Sequence, residues 1–268
     1  MQVTAKSRSI RVMSIVEAVA RSNGPLRISE LVEQCKLPKA TVHRICGLLC
    51  KNGYLQQELG GKGLEPGIRL RELAQSILAG AAGKSARHAV LESVARQVGE
   101  TCNLAMPDGT RMYYLDRVET EWPLKVQLPI GTRVPLHCTA GGKLYLSSLP
   151  SAQRARVLDR LELDKRTPNT ITDRARLEAA LRKIAETRVG TDDEEFIAGM
   201  VAIAVPVTDV GGRVFATLAI HGPTVRFSLE AAMRHVNLLR AAASEISAAA
   251  GDSASASSAP SHRPGLAT

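Results

Sequence analysis

The chain has 268 residues, 44% hydrophobic and 23% charged, enough to bury a sizeable core and to form about two domains. Its five cysteines are an odd number with no Cys-x-x-Cys pair, which speaks against a disulfide framework and against a zinc ribbon. The net charge is +9, and residues 1–80 hold 12 Lys and Arg against 6 Asp and Glu, a net of +6, so the excess sits in the first third and favours a polyanionic partner there.

Taken in order, SRSIRVMSIVEAVARSNG (7–24) spaces Ile10, Met13, Ile15, Val16 and Val19 as a helix, with Ser9 as its cap and Asn23-Gly24-Pro25 as its stop. LRISELVEQC (26–35) reads as a short second helix capped by Ser29. Lys36-Leu37-Pro38 is a turn, and Pro38 suits the first turn of a third helix, Lys39 to Lys51, which ends at Asn52-Gly53. YLQQELGGKGLEPG (54–67) is a hairpin that turns at Gly60-Gly61 and returns through Leu64. IRLRELAQSILAG (68–80) is helical, with Leu70, Leu73, Ile77 and Leu78 on one side, and Gly80 and Gly83 suggest a hinge.

From about residue 84 the pattern changes. A helix is expected over 88–99, then strands over 101–109 and 111–118 around Pro107-Asp108-Gly109, and a further strand over 124–131. TAGGKLYLSSL (139–149) opens a short helix with glycines, and two periodic helices follow in SAQRARVLDRL and DRARLEAALRKIAETRV. A second hairpin joins 200–209 to 213–222 through Val210-Gly211-Gly212, and a last helix runs from Ser228 to about Ala249. Hairpins with segregated helices indicate an α+β domain. The expected divisions are 1–67, a linker helix over 68–83, a domain over 84–250, and a Ser-, Ala- and Pro-rich tail over 251–268 that is expected to be disordered. No run of about 18 apolar residues is present, so no membrane span is expected. MQVTAKSRSI at the start has no apolar signal core, and a cytoplasmic protein is expected.

On a helical wheel of the third helix, Val42, Ile45, Leu48 and Leu49 form an apolar seam, and Lys39, Thr41, His43 and Arg44 lie off it near the N-terminal end. A DNA recognition helix is built this way, its first turns meeting bases and phosphates while its back packs on the domain. An amphipathic surface helix with a basic tip has the same pattern. The preceding helix, the proline turn, the glycine hairpin and the local charge together favour a winged helix-turn-helix that binds double-stranded DNA. Lys62, in the wing Gly60-Gly61-Lys62-Gly63, is a candidate phosphate contact, as are Arg8, Arg11 and Arg27. His43, Cys46 and Cys50 share a helical face at i, i+3 and i+7, the basis of an alternative reading as a redox- or metal-responsive regulator. With no fourth ligand evident, no resident metal or other cofactor is expected.

ISELVEQCKLPKATVHRICGLLCKNGYL is followed in order by GETCNLAMPDGTRMYYLDRVE, PIGTRVPLHCTAGGKLYLSSLP, TPNTITD, DDEEFIAGMVAIAVPV and AIHGP. In these blocks the chain resembles the IclR family of bacterial transcription regulators, over about residues 7–250. The resemblance implies a winged helix-turn-helix that dimerises through the N-terminal region, a linking helix, and a C-terminal effector-binding domain of GAF-like, profilin-like build. It also implies homodimers or tetramers on palindromic promoter DNA, with organic acids or aromatic catabolites as effectors. Four positions depart from the family pattern: Lys36 where the turn often has Gly, Leu64 where the wing often has Tyr, Ala202 where Cys is common, and His221 where Ser is frequent.

The stretch from His137 to Lys143 precedes an apolar helix, and glycines there expose backbone N–H groups to an anion. Thr139, Ala140 and Gly141 are therefore effector candidates, although glycine serves close helix packing equally well. Asp192 and Asp193 match an acidic pair that the resemblance sets near the effector. Ala202 and His221 are pocket candidates, with Met106, Leu128, Leu146 and Met200 as apolar walls. The helix from Ile68 to Ala79 is expected to carry effector binding to the DNA-binding part. Catalysis is not expected: His137 and Cys138 are adjacent and cannot easily pair, and no Walker loop, Rossmann glycine pattern or HExxH motif occurs.

Overall fold

The computed structural model describes residues 7–22, 24–58, 61–79 and 81–255. Asn23, Gly60, Gly80, residues 256–268 and the side chains of Ile77 and Leu78 lie outside the described residues. Two compact units divide the chain, Met1–Leu78 and Ala79–Thr268.

In the first unit, α1 (Arg8–Arg21), α2 (Ile28–Cys35) and α3 (Lys39–Lys51) precede a two-stranded wing, β1 (Leu55–Gln57) and β2 (Leu64–Pro66), and then α4 (Ile68–Ala79). The core gathers Ile15, Val19, Leu31, Val42, Ile45, Cys46, Leu55 and Leu64. Both expected caps shift by two residues. Ser7 precedes α1, so Ser9 is already helical, and Arg27 precedes α2, so Ser29 lies in its first turn. The Arg27 backbone N–H donates to the Glu30 carboxylate at 2.6 Å, which closes that end without a serine. The buried side of α3 is Val42, Ile45 and Cys46, with Leu49 half-buried. Leu48 is 52% exposed, because it falls one step past Ile45 at the rim of the seam. Helix α3 stops at Asn52 and Gly53, whose φ of 72° suits glycine.

The second unit contains α5 (Ala81–Val98), β3 (Thr101–Asp108), β4 (Arg111–Val118), β5 (Arg133–Pro135), α6 (Ala140–Ser148), α7 (Ser151–Leu158), α8 (Arg174–Thr187), β6 (Gly190–Asp193), β7 (Met200–Thr208), β8 (Val214–Pro223), α9 (Leu229–Met233) and α10 (Val236–Ser255). Six antiparallel strands form one sheet in the order β5-β4-β3-β8-β7-β6. Helix α6, backed by α8, packs on one face, and α5 and α10 pack on the other. The second unit is thus an α+β domain, and the first is a winged helix-turn-helix.

A β-bulge matters for the site. Leu104 pairs with Asp116 but Ala105 pairs with Tyr114, so Leu115 is an extra residue. The bulge changes the phase of β4. Tyr114 and Arg117 thereby share the α6 face, and Asp116 turns to the other face, where it binds Arg87 Nε at 3.2 Å and His88 Nδ1 at 2.9 Å on α5.

Several elements differ from the sequence expectation. Residues 124–131 form no strand, and only Arg133–Pro135 pairs with β4. Pro123 and Pro129 punctuate that segment, and side chains hold it instead: Arg117 Nη2 donates to the Val126 carbonyl at 2.6 Å. Helix α5 starts at Ala81, so a division at residue 84 falls inside it. The single last helix is two, α9 and α10. Backbone bonds from Arg234 to Ala231 and from His235 to Ala232 tighten the end of α9. Helix α10 runs on to Ser255, five residues into the segment expected to be disordered, carried by its alanine-rich sequence. No described helix is long and apolar enough to cross a membrane.

Candidate nucleic-acid interface and ligand cavity

Lys39, His43 and Arg44 are exposed on α3, off its buried seam, and Thr41 is half-buried. Arg44 and Arg8 also flank a groove of about 260 Å³ between α1 and α3 that Leu48 and Tyr54 line. Lys62 is exposed at the tip of the wing, and Arg27 is exposed at the start of α2. Leu64 is 4% exposed in the core, so the wing presents no phosphate-binding side chain at that position. Lys36 ends α2 at φ 53° and ψ 44°, the left-handed conformation that a glycine adopts without strain.

In the second unit a small cavity of about 30 Å³ lies between the sheet and the N-terminus of α6. Seven of the eleven sequence candidates line it: Thr139, Ala140, Gly141, Asp192, Met200, Ala202 and His221. The other four do not. Asp193 is exposed, because successive strand residues point to opposite faces and Asp192 takes the inner one. Met106 pairs with Tyr113 on the far face of β3, for the same reason. Leu146 and Leu128 belong to an apolar cluster with Leu177 and Leu181. Asn103, Tyr114 and Thr217 also line the cavity, and these the sequence reading missed. Thr217 was findable: it stands four residues before His221 in one strand and so shares its face.

The cavity suits an acceptor at its α6 end. The Thr139 hydroxyl accepts from the Gly142 N–H at 3.2 Å, and the Thr139 carbonyl accepts from the Lys143 N–H at 2.9 Å. The N–H groups of Ala140 and Gly141 then have no partner within the helix, and the helix dipole favours negative charge beside them. Thr217, 1% exposed, has a hydroxyl with no hydrogen-bond partner. A Cβ on Gly141 would lie 2.6 Å from that hydroxyl, whereas a Cβ on Gly142 would lie 2.4 Å from the Leu136 backbone carbonyl. Of the two glycines, Gly141 borders the cavity and Gly142 serves close packing.

Five ionisable groups line or back this space. Burial pushes the Asp192 carboxyl up to about 7, against the pull of the Glu195 and Phe196 N–H groups and of Lys143. Lys143 and Glu195 form a buried ion pair, and burial raises Glu195 while Lys143 opposes the rise. Burial, then the charge of Arg117, pushes His221 down to about 3, so its ring is neutral. Arg117 Nη1 lies 3.1 Å from His221 Nε2. A guanidinium only donates, which assigns the ring proton to Nδ1 and leaves His221 a donor on that side.

The cysteine face of α3 does not assemble. Cys46 is 2% exposed and burial pushes its thiol up to about 11, while His43 points to solvent. No group of three or more metal-ligating side chains occurs among the described residues. Burial likewise pushes Cys138 up to about 12, a poor nucleophile, and its neighbour His137 is tied by Nε2 to the Asp164 carbonyl at 3.0 Å.

Comparison with known proteins covers nearly the whole chain. The family model described as IclR helix-turn-helix domain matches residues 10–59, and that described as Bacterial transcriptional regulator IclR C-terminal matches residues 78–248. The chain is 40% identical over 242 residues to the probable transcriptional regulator SauR of Cupriavidus necator, covering 90% of this chain and 96% of that protein. It is 30% identical over 250 residues to the HTH-type transcriptional regulator KdgR of Escherichia coli, covering 93% and 95% respectively. The crystal structure of the Thermotoga maritima IclR matches with a TM-score of 0.60 at 28% identity, over 90% of this chain and 97% of that one.

Proposed function

The chain belongs to the IclR family of bacterial transcriptional regulators, and on that premise we propose that it reads operator DNA through α3 and that an organic acid in the cavity beside α6 sets its affinity. The DNA reading rests on one observation above all: Lys39, His43 and Arg44 are exposed on α3 while its apolar seam is buried. Arg8, Arg27 and Lys62 add phosphate contacts, which fix position without reading sequence. Exposed Ile10, Met13 and Leu73, each about half accessible, support action as a homodimer or tetramer on a two-fold symmetric site in the cytoplasm. The acid reading is supported by the free N–H groups of α6 and the partnerless Thr217 hydroxyl.

Fluorescence anisotropy with the DNA upstream of the gene, beside a scrambled duplex and across a salt series, tests the DNA reading. Specific binding with a steep salt slope is expected. Arg44→Ala is expected to weaken it by about 1–3 kcal/mol through loss of a base contact. Equal affinity for both duplexes at every salt concentration overturns the reading.

A further inference from the structure

The inner cavity, at about 30 Å³, has room for about two water-sized groups. A carboxylate head fits there; a ring or a chain does not. Beyond the end of β8 lies a second cavity of about 220 Å³. Met200 and His221 line both cavities and so form the partition between them.

The two halves of that partition differ in freedom. His221 is pinned by Arg117 Nη1 at 3.1 Å, and Arg117 is itself tied to the Val126 carbonyl at 2.6 Å. Met200 follows Gly199, whose φ is 74°, and has an unbranched side chain with three rotatable bonds. The two cavities also differ in chemistry. The inner one has the partnerless Thr217 hydroxyl, Asp192 and the start of α6. Leu124, Val126, Ile197 and Pro223 give the outer one aliphatic walls, and Glu100, Lys125 and Arg226 line it as well. The inner space offers an acceptor site at its α6 end, and the outer one offers aliphatic surface beside the Glu100–Arg226 ion pair, a pairing that suits a molecule with one acidic end.

We propose that the effector is an amphipathic carboxylic acid that occupies both cavities, its head against α6 and Thr217 and its aliphatic or aromatic body in the outer cavity, with Met200 as the side chain that swings aside to join them. This rests on the acid reading above and adds to it a size class and a gate. Short acids reach only the head site. Each methylene that enters the outer cavity leaves water and tightens binding by about fourfold until the space is full.

The test is a ligand-dependent thermal shift of the full chain with acetate, butanoate, hexanoate, octanoate and benzoate at equal concentration. Stabilisation is expected to rise with chain length. In Ala198→Trp, which fills the outer cavity from its rim, octanoate is expected to stabilise no more than acetate does. In Met200→Ala the rise with length is expected to steepen, which keeps the test informative if the tryptophan variant does not fold. Acids that bind with no dependence on length, or a dependence that survives Ala198→Trp, overturn the two-cavity inference and leave the acid reading standing. No shift of the wild-type protein with any of the five acids removes the acid reading and this inference with it.

Discussion

Lys36 holds left-handed backbone at φ 53° with a side chain attached. That conformation costs a non-glycine residue about 1–2 kcal/mol, against roughly 0.5–1 kcal/mol of extra chain entropy that a glycine loses on folding. Lys36→Gly is therefore expected to stabilise the first unit by about 0.5 kcal/mol, read as a higher urea midpoint. A lower midpoint would mean that the lysine side chain contributes more than its strain removes. Asp192 makes a prediction about pH. Its ordinary value is 3.8 and its folded value about 7, so between the two the folded protein keeps a proton that the unfolded chain has lost. Stability then falls as pH rises through that window and stays lower above it. Asp192→Asn is expected to raise the unfolding temperature relative to wild type more at pH 8 than at pH 5. The opposite shift of His221 is common to both proteins and cancels in the comparison. An advantage equal at both pH values would show that Asp192 is not desolvated in solution.

Helix α6 carries two adjacent glycines with different duties. A methyl on Gly142 meets the Leu136 backbone, which cannot turn away, while a methyl on Gly141 meets the Thr217 hydroxyl at the cavity wall. Gly142→Ala is expected to cost about 1–3 kcal/mol in denaturant unfolding, as overpacking does. Gly141→Ala is expected to cost less and to abolish the stabilisation by added acid. A Gly141→Ala protein that still responds to acid would move the head site away from α6. The glycine pair was legible in the sequence as a feature with two possible meanings, and only the backbone around it separates them. Helices with strong periodicity, such as α3 and α8, were legible for a local reason: their apolar spacing is set by one element. The strand partners of the cavity were not. Met106 and Asp193 sit one residue out of phase, and in a strand one residue reverses the face. The extra Leu115 in β4, which brings Arg117 rather than Asp116 to the side of the sheet where it meets His221, leaves no mark in the pattern. The four-residue β6, Gly-Thr-Asp-Asp, has too little β-propensity to announce itself.

For the whole molecule, linkage ties the two proposed sites. If an acid changes DNA affinity by some factor, DNA must change acid affinity by the same factor. A coupling of about 5- to 150-fold is expected, measured as the DNA dissociation constant with saturating acid and as the acid constant with saturating operator. Acid and DNA that bind without either affecting the other would make the cavity a site unconnected to transcription.

The sheet of the second unit ends on two very short strands, three residues at β5 and four at β6. Pro135 has no N–H to offer at the first edge, and the exposed Asp193 sets a charge on the second. A strand from another chain finds almost no ladder to join at either side. Short, proline- and charge-marked edges of this kind work against edge-to-edge sheet extension between copies of a chain.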